Sequence, residues 1–279
     1  MQIIIVDDNS DPDIVNFENF PGLNDPFIEV VFTKEGKGAG YARNAGLAKA
    51  AGKWLLFADA DDFYNYCIND ILDENINTDA DIIYFKHSTV DSDTFMLDSR
   101  NASHNDRIEG WFNSPKKYES RLRYINTAVW GQLYKAEFIK KNNIVFDEVS
   151  ISNDVTFVYM AAFYALSISA DPRALYCTTI RKGSIRHAKR SFDNILDIFL
   201  VSCKRFHFYR DHNIRIYKRI PLAKLLIKFH FRSKNHFATA KKILLDYNIT
   251  TFDILKLCIY SILVLTPKSI VNKLFSRSQ

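Results

Sequence analysis

The run Ile3 to Val6 is unbroken, apolar and β-branched, and it stops at Asp7-Asp8-Asn9-Ser10-Asp11. A strand apolar on both faces belongs inside a parallel sheet rather than on a one-sided antiparallel one. In open α/β sheets, ligands gather at the carboxyl ends of such strands. The pattern recurs at Lys53 to Ala58, which runs into Asp59-Ala60-Asp61-Asp62. Between the two lie a short strand, Ile28 to Thr33, a glycine-rich loop, Gly36 to Gly40, and a helix over about Ala42 to Ala51 closed by Gly52. Asp79 to Phe85 repeats the strand pattern, Asp91 to Asn105 reads as a polar loop, and Tyr118 to Tyr134 mixes helix and loop signals. This alternation predicts an α/β fold with a mostly parallel, doubly wound sheet and helices on both faces.

Charge divides the chain. Residues 180–279 hold 21 basic and 5 acidic side chains, net +16, against −11 over residues 1–179. The acidic part suits metal ions, and the basic part suits anionic partners such as phosphates or lipid head groups. Beyond Ile180 the strand signal fades, and Phe192 to Arg210, Arg215 to Phe231, His236 to Asp246 and Phe252 to Leu265 carry helical periodicity. The basic charges there are interleaved with apolar helical positions and no nucleic-acid motif occurs, so no nucleic-acid partner is expected. The expected organisation is a catalytic domain over residues 1–185 and a basic helical region over 186–279.

The last periodic segment covers only about 21 Å of the ~30 Å hydrocarbon core and contains Asp253 and Lys256, so it should not span a membrane. It reads either as a helix packed on its own domain or as an interfacial helix, flanked by Lys268, Lys273 and Arg277, resting on anionic lipid. The four cysteines, Cys67, Cys177, Cys203 and Cys258, are widely spaced and suggest neither a zinc site nor a disulfide framework. The N-terminus has no basic region before its apolar run, unlike a signal peptide, and a cytoplasmic location, peripheral at the inner membrane face, fits best.

Asp7-Asp8 and Asp59-Ala60-Asp61-Asp62 each follow an apolar strand, so a parallel sheet brings them to one edge, where like charges repel. A hard divalent cation shared with substrate phosphates offsets that repulsion; either cluster alone could equally form turns or caps. Three segments then resemble successive motifs of family 2 of the glycosyltransferases, in order and spacing. They are Ile4-Ile5-Val6-Asp7-Asp8-Asn9-Ser10, Gly40-Tyr41-Ala42-Arg43-Asn44-Ala45-Gly46-Leu47, and Gly52-Lys53-Trp54-Leu55-Leu56-Phe57-Ala58-Asp59-Ala60-Asp61-Asp62. The resemblance covers roughly residues 3–90 and weakens to about residue 186.

The resemblance implies a GT-A fold, inverting chemistry and a nucleotide-diphosphate sugar donor, with UDP-sugars foremost. Asp7 matches the base-recognising aspartate, with Asp8 beside it near the ribose. Arg43 matches a position near the nucleotide, where it either pairs with a phosphate or bridges its helix to the Asp7 loop. Asp59 and Asp61 match the Asp-x-Asp motif that holds the ribose and, through Mn²⁺ or Mg²⁺, the diphosphate; Asp62 reads as a supporting group or helix cap. Asp154 matches the general base, with Asn153 where the family carries Glu; its alternative role is to cap the helix that starts near Val155. Trp130, in Trp130-Gly131-Gln132-Leu133-Tyr134, fits an acceptor-side segment and is either a sugar platform or a core residue. Arg181, in the segment Tyr176 to Ile185, matches a cation near the diphosphate.

The family ordinarily begins with a strand and helix before the segment matching Ile3 to Val6; this sequence lacks them, so an N-terminally incomplete sheet is expected. The implied function is sugar transfer to a saccharide or polyprenyl-diphosphate-linked acceptor in surface polysaccharide synthesis. Its rivals are a truncated, noncatalytic binding protein and a nucleotidyltransferase, although the latter's glycine-rich phosphate loop does not follow the first strand.

Overall fold

A computed structural model describes residues 1–181 and 191–260. The chain divides into two compact units, residues 1–189 and 190–279.

The first unit holds two sheets. β1 (Ile3–Asp7) and β2 (Ile28–Phe32) pair in parallel as a sheet of their own. The second sheet has the order β3-β6-β5-β7-β4, with β3 Trp54–Leu55, β4 Phe63–Tyr64, β5 Ile82–Asp91, β6 Gln132–Lys135 and β7 Ile168–Ile180. β3, β5 and β7 run one way and β6 and β4 the other. The strand pattern thus lies in two separate sheets rather than one, and the larger is mixed rather than mostly parallel, with only β5 and β7 pairing in parallel. Ile3 to Val6, composed for burial on both faces, are only half-buried because β1 pairs on one edge alone.

Helices cover both faces of the five-stranded sheet, and the alternation along β5 shows how. Ile82 and Tyr84 point into a core with Phe138, Ile139, Phe157, Val158 and Ala161. Those residues come from α5 (Ala136–Lys141) and α6 (Val155–Tyr164). Ile83 and Phe85 point the other way, onto Ile71 of α2 (Ile68–Asn75) and Leu175 of β7. Burying one such side chain stabilises by roughly 1.5–3 kcal/mol. The β5–β7 ladder shifts register at Phe85 to His87, passing over Pro172 and Arg173. Proline has no N–H to offer a ladder, so a bulge is the stable solution, and it re-aims His87.

α1 (Ala39–Lys49) bridges the two sheets. A Cβ on Gly46 would lie 3.4 Å from Val6 Cγ2, so this glycine brings the helix close onto β1, while Leu47 and Ala50 pack on the main core. The helix begins three residues before the predicted start and ends at Lys49, with Ala50 as its C-cap rather than Gly52. α3 (Ala102–Asn113) packs on β5, and α4 (Pro115–Ile125) packs on α3 and α6.

The second unit is helical: α7 (Phe192–Asp211), a short 3-10 turn (Arg215–Arg219), α8 (Leu222–Arg232), α9 (Lys234–Asp246) and α10 (Thr251–Tyr260). Ser191 Oγ caps α7 by accepting from Asn194 N–H at 3.1 Å. The segment expected to be one helix from Arg215 to Phe231 breaks at Pro221, which serves as the N-cap of α8. Phe199, Phe206, Tyr209, Leu222 and Phe229 fill this unit's interior. Arg210 ties the end of α7 to the start of α10, donating to Asn248 O at 2.9 Å and to Asp253 Oδ2 at 3.3 Å. Residues 261–279, with the expected flanking Lys268, Lys273 and Arg277, and the Gly183-Ser184 pair lie outside the described residues.

Candidate active site

The carboxyl end of β1 leads into a turn built by glycine geometry. Asp8 accepts N–H groups from Gly36 at 3.0 Å and Gly38 at 2.6 Å, and the Thr33 hydroxyl also bonds to it. Gly36 (φ +67°) and Gly38 (φ +90°) take backbone conformations that L side chains avoid. Burial alone would raise the Asp8 pKa, but these hydrogen bonds outweigh it and hold the carboxyl below its ordinary value. Asp8 therefore organises the entry to α1, which explains the early start of that helix. Asp7 is buried, at 9% exposure, and its Oδ1 accepts from Ser10 N–H at 3.2 Å.

Arg43, one helical turn into α1, is the centre of a second cluster. It donates to Asp59, with which it forms an ion pair, and to Asn153 Oδ1 at 2.6 Å, and its guanidinium lies 5.6 Å from the Phe146 ring centroid. Aromatic packing holds the partners in place: Phe57 meets Phe146 and Phe157 edge-on at 5.2 and 5.3 Å, and those two rings stack at 4.3 Å. Asn44 fixes the same segment by exchanging hydrogen bonds with the Phe146 backbone at 2.8 and 3.0 Å. Gly40 permits the close approach, since a Cβ there would lie 2.0 Å from Asp147 O. Asn153, where the resembling family carries a carboxylate, supplies an amide oxygen to Arg43 instead.

Asp154 sits at the N-cap position of α6, yet its side chain makes no capping hydrogen bond. Its carboxyl is desolvated, which pushes the pKa up to about 6; the Arg43 charge and a hydrogen bond from the Val129 backbone oppose that rise, and Asp59 adds to it. The residue keeps a partly exposed rim. Arg43, Asp59 and Asp154 are thus electrostatically one group. Among the described residues, no hydrogen bond or ion pair joins Asp7 or Asp8 to it.

Beyond Asp59 the motif leans on β7. Asp59 N–H donates to the Tyr176 hydroxyl at 2.9 Å, and that hydroxyl donates to Asp62 Oδ2 at 3.0 Å. Thr179 N–H donates to Asp62 Oδ1 at 2.7 Å, and the Thr179 hydroxyl to Asp61 O at 2.6 Å. Asp62 is therefore a supporting group: burial raises its pKa, and the Thr179 and Tyr176 hydrogen bonds counter that. Trp130 is 7% exposed and stacks on Tyr176 at 5.3 Å, more a packed residue than an open platform. Tyr176 is the residue that sequence reasoning undervalued; it was visible only as part of the segment containing Arg181.

Asp61 is different. Its side chain is 53% exposed, and its nearest ionic neighbour is Arg181, at 4.0 Å. No group of three metal-ligating side chains occurs among the described residues. A small hard cation is commonly held by one or two carboxylates and completed by substrate phosphates and water. The oxygen donors of Asp61, with Asp59 nearby but engaged by Arg43, fit that mode.

Glycosyl transferase family 2 matches residues 1–136. Residues 1–136 belong to that family. Relatives of this chain include EpsH of Bacillus subtilis (strain 168), 27% identical over 212 residues, 71% of this chain and 58% of EpsH. The succinoglycan biosynthesis protein ExoO of Rhizobium meliloti (strain 1021) is 25% identical over 201 residues, 68% of this chain and 55% of ExoO. The chain thus spans less than two thirds of the length of either relative. Among solved structures, the crystal structure of Staphylococcus aureus TarS 1–349 in complex with UDP-GlcNAc matches with a TM-score of 0.60 and 21% identity, covering 88% of this chain and 71% of that one. That likeness establishes the GT-A fold.

Proposed function

We propose that this chain is an inverting glycosyltransferase that moves a sugar from a UDP-sugar to a hydroxyl of a saccharide acceptor, with Asp154 as general base. The observation that carries the reading is a carboxyl with its pKa raised to about 6, partly accessible, beside the Arg43–Asp59 pair. Such a group is ionised at neutral pH and basic enough to take a proton. In the step, the acceptor hydroxyl gives its proton to Asp154 while its oxygen bonds to the anomeric carbon from the face opposite the leaving group. The bond from that carbon to the diphosphate breaks, and UDP departs with the electron pair. Asp7 and Asp8 would border the nucleoside, and Arg43 and Asp59 the ribose and diphosphate. Arg181 would add positive charge beside the diphosphate, and Trp130 would back the acceptor side. A divalent cation, Mn²⁺ or Mg²⁺, held chiefly by Asp61, would neutralise charge on the diphosphate.

The UDP-GlcNAc complex of TarS supports a UDP-sugar donor, and the succinoglycan role in the name of ExoO supports a polysaccharide product. A nucleotidyltransferase would want a phosphate loop after its first strand, whereas the glycines here follow β2 and their N–H groups are taken by Asp8. UDP is expected to bind in the presence of Mn²⁺ and to bind at least tenfold more weakly either without the metal or in Asp61→Ala. Calorimetric titration checks this, and metal-dependent binding that survives in Asp61→Ala would remove that residue from the metal site.

The catalytic domain is assigned to residues 1–185 and the basic helical region to 186–279, which we place at an anionic, cytoplasm-facing membrane surface, where a polyprenyl-diphosphate-linked acceptor would be met. No helix among the described residues is long and apolar enough to cross a membrane. On α10, Phe252, Leu255 and Ile259 are 63%, 54% and 48% exposed and fall on one helical stripe, with Lys256 beside them. The full chain is expected to sediment with vesicles containing phosphatidylglycerol but not with pure phosphatidylcholine. Leu255→Asp/Ile259→Asp should lose that binding, and unchanged binding would exclude this stripe as the contact.

A further inference from the structure

Gln132, the first residue of β6, is completely buried, at 0% exposure. It stands on the strand face that carries Tyr134, and across the ladder it pairs with Tyr84 of β5. Its amide is only half used: Nε2 donates to Ala128 O at 2.6 Å, while Oε1 has no hydrogen-bond partner. An unpaired acceptor at full burial weakens a fold, and an apolar side chain of the same length would avoid that cost. Ala128 O also has a second, longer donor, Asn126 Nδ2 at 3.4 Å, so it would not be left bare without the glutamine. Stability alone does not explain a glutamine at this position.

The amide instead closes a turn. The Gln132 side chain reaches back across residues 128–132 to the carbonyl of the first of them. Gly131 takes φ +67°, and a Cβ there would lie 2.1 Å from His87 Nε2, so glycine lets the backbone pass the imidazole. Trp130 stacks on Tyr176 at 5.3 Å and holds the turn from the other side. Within it lies Val129, fully buried, whose backbone N–H donates to the Asp154 carboxyl. The Ala128 carbonyl and the Val129 N–H belong to one peptide unit. That unit is planar, so a side chain that holds its oxygen also fixes the direction of its N–H.

We propose that Gln132 is a positioning residue for sugar transfer: by holding Ala128 O it turns the Ala128–Val129 peptide so that the Val129 N–H meets Asp154. This rests on the reading of Asp154 as general base. Burial raises the pKa of that carboxyl; Arg43 of α1, its own backbone N–H and the Val129 N–H oppose the rise, and Asp59 adds to it. The Tyr134 hydroxyl, also close enough to feel its charge, is kept neutral by burial. Gln132 acts on this balance through the Val129 N–H.

Gln132→Met keeps the length of the side chain and removes the donor. The variant is expected to lose roughly ten- to a hundredfold in kcat while binding UDP as before. The acid limb of its pH–rate profile should move up by about one unit, because the charged form of Asp154 has lost a hydrogen bond. Placed on Asp154→Asn, the same substitution should change the residual rate by less than about twofold, since no carboxylate is left to position. An unmoved acid limb, or an equal loss of rate in both backgrounds, would overturn the proposal. Gln132→Leu gives a second reading if Gln132→Met does not fold, and failure of both to fold would assign the glutamine to the fold instead. Asp154→Asn by itself separates the two assignments: full activity in it sinks the base reading, whereas an inactive Asp154→Asn beside an unaltered Gln132→Met sinks the positioning role alone.

Discussion

Asp154→Asn is expected to lower the rate of sugar transfer by about 10²–10⁴-fold while UDP binding is retained, because the amide keeps the shape of the carboxyl but cannot accept the proton. In the unsubstituted chain, kcat/KM should fall as pH drops below about 6, the pKa to which burial raises this group. Stability moves in the opposite sense. The folded pKa lies above the ordinary carboxylate value of 3.8, so the folded chain holds this proton more tightly than the unfolded one does. The stabilisation is complete below pH 3.8 and is lost as pH rises through about 6. Above that, the chain carries a desolvated negative charge that asparagine does not. Asp154→Asn should therefore melt at a higher temperature than the unsubstituted chain at pH 8, and the gap should close towards pH 4. A variant that keeps full transfer activity would end the assignment of Asp154 as base; one that is inactive but no more stable at pH 8 would contradict the burial of its charge.

Arg43→Ala is expected to damage both the site and its tuning. The guanidinium joins Asp59 to Asn153 and opposes the rise in the Asp154 pKa. Removing it leaves two partly buried acceptors unpaired, at a cost of about 1–3 kcal/mol each. It also allows the Asp154 pKa to climb further, so the acid limb of the pH–rate profile should move above pH 6 and activity should suffer more at pH 6.5 than at pH 8.5. Arg43→Lys retains a charge without the fork, and should restore part of the pH profile but not the link to Asn153. Parallel pH profiles of the three proteins decide it: an unmoved acid limb in Arg43→Ala would show that the arginine serves the nucleotide or the fold without tuning the base.

Several features of the site were legible because they depend on local composition. An apolar β-branched run that ends in carboxylates specifies both a strand and the edge where polar chemistry gathers, and this held for Ile3 to Asp7, whereas of the expected strand Lys53 to Ala58 only Trp54–Leu55 forms. The periodicity of 3.6 residues marked α7, α9 and the start of α10, because a helix that buries one stripe must repeat it. Long-range pairings were not legible. Asn153 takes its meaning from Arg43, 110 residues away in sequence, and Tyr176 from Asp59, 117 residues away. β4, two residues long, exists because β7 offers it an edge.

The amino-acid sequence by itself determined β1, β2, α1, α7 and α9 and the side chains that stand at the end of β1, since propensity, periodicity and glycine geometry act over a few neighbouring residues. Only the tertiary structure decided that β1 and β2 stand apart from the five-stranded sheet, and that Asp8 is spent on ordering the entry to α1. It also decided that Asp59 is shared between Arg43 and Tyr176, and that Asp154 keeps its carboxyl uncapped. Ladder pairing, burial and the field of neighbouring charges arise from distance in space, and residues far apart along the chain set that distance together.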